Sequence, residues 1–509
     1  MFNKQLLAIL IPLTLSGCGG GSDDSGGSQP KPTPKYTFEF AALYAKSDAS
    51  SSCAVYGEKQ GGKQILATKD RIISGSETTG TILIQDEQGG VIDTYDIGSN
   101  KLTINQSIVP EEGYVTFALA QEREGNISAV SYQKNALSQS VLFGYPVGSI
   151  SSSDRCITAG ATKPAEREYT NVRVDVANGS DAYSVGITTP DKRTLSSNRG
   201  AKTISRAFSR ALGAGYAEKA AAGGDPTNTD ITDINTPREI TDYKFFNLAN
   251  DTTVELAPLS ETGDWTPPAN TSEYNLTAAA LYVDYQQTPY IWQNLPYGAI
   301  ENIGYRYDAD NDNLSYYLTA EGKVKATNTS SDEWDLSAAR QLSVSDLDGG
   351  LTNDSLDPNN DIDVPAKRSP VEINNDVLTA YENGADGQAG IQRIAYQATQ
   401  GLTTVTHVIY AEANAQQTIP MFDDNGINAV ISGADTLSNY DISVMYTSDN
   451  TDQRQALAAL MAEHTDPGQS DITDLSLDNL PVLFTTYERE QLARQKKIID
   501  HYQISTSNP

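Results

Sequence analysis

The segment Thr37-Phe-Glu-Phe-Ala-Ala-Leu-Tyr44 decides the fold class. Its residues suit a pleated strand, with Phe38, Phe40 and Ala42 falling on one face at a period of two. Three runs of the same kind follow: Gly80-Thr-Ile-Leu-Ile-Gln85, Gly90-Val-Ile-Asp-Thr-Tyr95 and Tyr114-Val-Thr-Phe-Ala-Leu119. Gly, Asn and Ser separate them at intervals of roughly 8–12 residues, the spacing of an antiparallel sandwich. The balance of 27 Tyr against 10 Phe suits half-exposed strands.

Beyond this first module the pattern recurs with interruptions. Val172-Arg-Val-Asp-Val-Ala177 and Ala182-Tyr-Ser-Val-Gly-Ile187 read as a hairpin across Asn178-Gly179, a turn dipeptide. Ala201 to Ala222 reads as a helix, with Ile204, Phe208 and Leu212 on one face and Gly223-Gly224 as its stop. It is basic: Asp191 to Lys219 carries seven Lys and Arg against two acids. Strand patterns resume at Tyr243-Lys-Phe-Phe-Asn-Leu248, and an acidic joint runs from Asp346 to Pro365. Further strands include Thr404-Val-Thr-His-Val-Ile-Tyr410, and the segments 451–464 and 486–502 read as helices. Ala41-Ala-Leu-Tyr44 and Ala279-Ala-Leu-Tyr282 form a short internal echo. The expected fold is mainly β, with tandem antiparallel β-sandwich (Ig-like) modules, a basic helix near 201–222 and C-terminal helices. The expected divisions are a module at 36–165, a second β region at 166–352 with a helical and linker insertion at 190–240, an acidic linker at 353–369, and a β module with helices at 370–509.

A length of 509 residues allows three to four domains. The formal charge of −30 repels phosphate backbones and excludes nucleic acid as a partner. Three His residues leave little for His-based catalysis, and no G-x-S-x-G, P-loop or H-E-x-x-H occurs. His407 lies in phase with Val405 and Ile409 on a strand and reads as a partly buried sheet residue.

At the start of the chain, Lys4 precedes the apolar run Leu6 to Leu15, which contains Pro12 and is too short to span a bilayer as a helix. It ends in Leu15-Ser16-Gly17-Cys18, which resembles the lipobox of bacterial lipoproteins. The resemblance implies cleavage before Cys18 (a signal peptide at 1–17), acylation of Cys18, and an outer-membrane address, because Gly19 stands where the retention signal has Asp. Several acyl chains on one cysteine make a stable anchor. Residues 18–35, rich in Gly and Ser and then in Pro, read as a tether.

Cys53 and Cys156 remain, and in an oxidising compartment two such thiols pair. Asp308-Ala-Asp310-Asn-Asp312-Asn313 resembles the Asp-rich loops of calcium-binding repeats and of bacterial cadherin-like domains, which makes calcium the candidate cofactor. It departs from an EF-hand, with Asn313 where Gly is required and Thr319 where Glu is expected. A solvated hairpin tip is the plainer reading. Trp265, Trp292 and Trp334 are candidates for stacking on sugar rings, against the alternative that they plug a core.

The expected function is a lipid-anchored envelope surface protein with a non-catalytic, structural or adhesive role. Its expected partners are outer-membrane lipid, through acylated Cys18, and a second copy or a surface polymer. Size, acidity and anchor are loosely similar to lipoproteins that coat sheathed flagella. The alternatives are a glycan- or nutrient-binding lipoprotein and, third, a polysaccharide-acting enzyme.

Overall fold

A computed structural model describes most of residues 33–508. It leaves out 1–32, the segments 159–167, 221–237, 267–273, 296–302, 353–362, 383–389, 448–453 and 463–481, and some shorter ones. The lipobox, most of the tether, the turn at 178–179 and much of the acidic joint and of the 486–502 segment therefore lie outside the described residues.

The chain is mainly β and sandwich-like, as its alternation requires. Its backbone is one twelve-stranded sheet. From one edge to the other it runs Pro289–Leu295, Tyr274–Tyr285, Leu314–Lys325, Glu333–Leu342, His501–Asn508, Asn439–Tyr446, Gly390–Gln400, Thr403–Glu412, Asn126–Gln133, Tyr114–Gln121, Thr78–Gln85 and Val91–Asp96. These strands come from all three expected modules. The tandem arrangement gives way to a shared sheet, because hydrogen-bonded ladders cross the expected boundaries. Asn126–Gln133 pairs in parallel with Thr403–Glu412, with Tyr132 opposite Tyr410. Those rings stack at 4.8 Å, a cross-strand pair that pins the register. His501–Asn508 lies between Glu333–Leu342 and Asn439–Tyr446.

Smaller layers cover this sheet. Lys35–Lys46 leads the first, pairing antiparallel with Lys63–Thr68 and Lys101–Asn105 and parallel with Ser140–Pro146. Its Phe38 and Phe40 meet Phe117 and Phe143 in a core that also takes in Val408, Tyr410 and Met461. Met461 lies on the helix Arg454–Ala462, which falls within the expected 451–464 segment. Cys53 and Cys156 are disulfide-bonded beside this layer. A four-stranded sheet that includes Ala366–Asn374 and Val377–Glu382, with the helix Asn425–Ser432, packs against Ile394, Tyr396, Val405 and Ile409. Asp424 caps that helix by accepting from the amides of Gly426 and Ile427.

A seven-stranded sheet holds residues 168–258 and corrects two expectations. The 201–222 segment is not a helix but the strands Gly200–Arg206 and Arg210–Ala220. Arg210–Ala220 is interior and covered on both faces: Ala211 joins one core, and Leu212, Ala214 and Tyr216 join the other. Two-sided burial produces a continuous small-and-apolar run that is easily read as a helix. Gly213 and Gly215 mark the strand. A Cβ on Gly213 would lie 3.0 Å from Leu256, and one on Gly215 2.8 Å from Ala182. The expected hairpin is also absent as such. Glu168–Val176 pairs with Gly200–Arg206 and Thr253–Pro258, while Ser184–Thr189 pairs with Lys192–Ser196 and Arg210–Ala220.

Within the 486–502 segment residues 488, 492, 495 and 496 are helical, and from residue 501 the chain continues as the strand His501–Asn508. No helix among the described residues is long and apolar enough to cross a membrane.

Candidate functional site

The three tryptophans sit in strands, not loops: Trp265 in Glu261–Trp265, Trp292 in Pro289–Leu295 and Trp334 in Glu333–Leu342. Each is at most 1% exposed, so none has a ring face to offer a sugar, which corrects the stacking assignment. Their indoles are satisfied internally. Trp292 donates to the carbonyl of Arg306 at 2.8 Å and Trp334 to that of Pro365 at 2.8 Å. Acidic and proline neighbours give Trp265 and Trp334 loop-like surroundings, yet alternation along the strand turns them inward.

Asp308 to Asn313 forms a turn between Ile303–Tyr307 and Leu314–Lys325 but not the expected hairpin tip, because the first strand pairs with Glu261–Trp265 and the second with Tyr274–Tyr285 and Glu333–Leu342. The Asp308 carboxylate has internal partners. Asp308 Oδ1 accepts from the amide of Asp310, closing the turn, and Oδ2 accepts from the Tyr243 hydroxyl. Asn311 donates to the same hydroxyl at 3.2 Å, and the Asp308 amide donates to Tyr316 at 3.0 Å. Among the described residues no three acidic, His or Cys groups converge as metal ligands. Burial, with the charge of Asp308 beside it, pushes the Tyr243 phenol well above its ordinary value, so it stays a proton donor.

This turn forms the rim of a groove of about 500 Å³ where the seven-stranded sheet meets the long one. Tyr243, Lys244 and Phe245 come from Arg238–Asn247, and Glu255, Ala257 and Pro258 from Thr253–Pro258. Glu261, Tyr285, Tyr307 and residues 308–311 complete it. Phe245 and Tyr285 stack at 4.1 Å with 12° between their planes, and both remain partly exposed. Behind them Tyr290 contacts Phe245 edge-on, and Trp292 contacts Tyr243 at 5.2 Å. Buried aromatics thus hold two partly exposed ones in place. Pockets of this size, at junctions between layers and lined by aromatics with a few polar groups, are where small ligands bind.

Phe245 and Tyr285 were missed by the sequence reading. Phe245-Phe246 is a doublet on one strand, and alternation sends one ring to each face, but it does not say which face stays open.

The His residues lead elsewhere. His407 is 0% exposed. Its Nε2 is 2.6 Å from Ser131 Oγ and its Nδ1 is 3.1 Å from the Tyr396 hydroxyl. Ser131 continues to Thr116 at 2.6 Å, and Thr116 to Gln85. The chain crosses five adjacent strands beneath the surface, so it is a buried polar ladder with no opening for a substrate at His407. Burial lowers the His407 pKa to about 3. No family model matches the chain, and no curated protein matches it.

Proposed function

We propose that the protein is a lipid-anchored envelope protein with a non-catalytic structural or adhesive role, carried on an outer membrane by acylated Cys18. One observation carries this reading. The strand Lys35–Lys46 begins where the expected tether ends, and it is locked by three partner strands. A pull from the anchor runs along the strand and loads those hydrogen bonds in shear, all together. That layer packs on the twelve-stranded sheet through a core shared with Phe117, Val408 and Tyr410. A coat on a flagellar sheath is one setting for such a body. The test is Cys18→Ser. The variant is expected to leave the envelope fraction for the soluble fraction, and fractionation like the parent would overturn the anchor. Protease shaving of intact cells then assigns the membrane face.

The groove beside Asp308 favours a second reading, a surface lipoprotein that binds a small ligand or glycan. Its support is the partly exposed Phe245–Tyr285 pair, held by buried rings.

A further inference from the structure

We infer that this groove takes a small organic cation, a ligand with a primary ammonium on a short carbon frame. The inference rests on the ligand-binding reading just given. Glu255, Glu261, Asp308 and Asp310 line the groove, against Lys244 as the one basic side chain in its lining. Ionised carboxylates only accept hydrogen bonds, so this wall suits a donor-rich guest. An ammonium brings three donors, no acceptor and a charge that the acidic wall attracts, whereas a neutral sugar gains nothing from that charge. An anion is repelled. Asp308 is already engaged by Tyr243 and by the Asp310 amide, so the charge that meets a guest falls to Glu255, Asp310 and Glu261, whose Oε1 also accepts from the Ser260 hydroxyl at 3.1 Å. The stacked Phe245 and Tyr285 add π-faces, which attract cations and pack on C–H groups. The groove volume matches a ligand of monosaccharide size.

Two sources share this chemistry, a free polyamine and an amino sugar on a surface polymer. The experiment is calorimetric titration of the detergent-solubilised full chain with putrescine, glucosamine, N-acetylglucosamine and glucose, at low and raised salt. Putrescine or glucosamine is expected to bind, more weakly as salt rises, while the two uncharged sugars do not. A preference for glucosamine points to the polymer and a preference for putrescine to the free amine; either supports the inference. Glu255 is exposed, so Glu255→Gln is expected to keep the fold and weaken binding by about three- to tenfold. Phe245→Leu is expected to do the same by removing the stack. Equal binding of N-acetylglucosamine would overturn the cation inference and leave the ligand-binding reading standing. No binding by any of the four would overturn both. Unchanged affinity in both variants would remove the groove as the site.

Discussion

A proton on His407 would sit among hydroxyls and rings, sealed from water: Ser131 and Tyr396 hold its two nitrogens, and Phe422 meets it edge-on at 5.5 Å. The folded pKa of about 3 is below the ordinary 6.5. Above about pH 6.5 both folded and unfolded chains hold the ring neutral, and its contribution to stability is complete. As pH falls towards 3 the unfolded chain takes up a proton that the folded chain refuses. Stability then drops by about 1.4 kcal/mol per pH unit from this residue. His407→Gln keeps hydrogen-bonding atoms and removes the titration. Its stability, followed by urea denaturation between neutral and mildly acid pH, is expected to fall less steeply than that of the parent. Parallel slopes would assign the acid sensitivity to other groups. The phase of His407 with Val405 and Ile409 was legible in the sequence as a partly buried position, whereas the residue is fully buried. The ladder was not, since Gln85, Thr116 and Ser131 are distant in sequence and meet His407 only through strand pairing.

The strand His501–Asn508 shows what pairing adds at the scale of an element. Its residues Ile504-Ser-Thr-Ser-Asn carry little apolar alternation, yet both its edges are occupied, with Ile504 facing Leu336 on one side and Val444 on the other. Such a strand is defined by its neighbours and not by its own composition, so it was hidden behind a helical pattern. Arg210–Ala220 was hidden for the opposite reason, burial on both faces. Lys35–Lys46 was legible because residues 35–40 alternate between buried and more open positions and so carry the two-residue period directly, although residues 41–44 are buried on both faces. Deletion of residues 501–509 would leave Glu333–Leu342 and Asn439–Tyr446 with unpaired edges in mid-sheet. The truncated protein is expected to aggregate or to become sensitive to protease, whereas the parent resists. A monomeric, protease-resistant truncation would show that the strand is dispensable. The groove follows the same logic. The acidic turn was legible as a loop, but its aromatic wall is assembled from four separate elements.

At the scale of the whole molecule, the disulfide closes a loop with a sequence separation of 103 residues. It restricts the unfolded chain, and removing such a bond costs about 2–5 kcal/mol. The paired change Cys53→Ser with Cys156→Ser leaves no stray thiol and is expected to lower the unfolding free energy by that amount, read as a lower urea midpoint. An unchanged midpoint would mean that the surrounding strands hold this corner unaided. The disulfide pairing was legible because only two cysteines remained beyond Cys18. The joining of the modules was not, because no local pattern records that residue 126 lies beside residue 404. That junction governs how the protein can be made. A chain threaded N-terminus first through a secretion pore would deliver Asn126–Gln133 long before Thr403–Glu412, and the strand that fills the middle of the sheet last of all. The central sheet therefore closes only once residues 501–508 have been delivered, although its two outer portions are complete by residues 133 and 342. Such late, long-range pairing makes for slow folding, and it leaves unpaired strands in need of shelter until the final residues arrive.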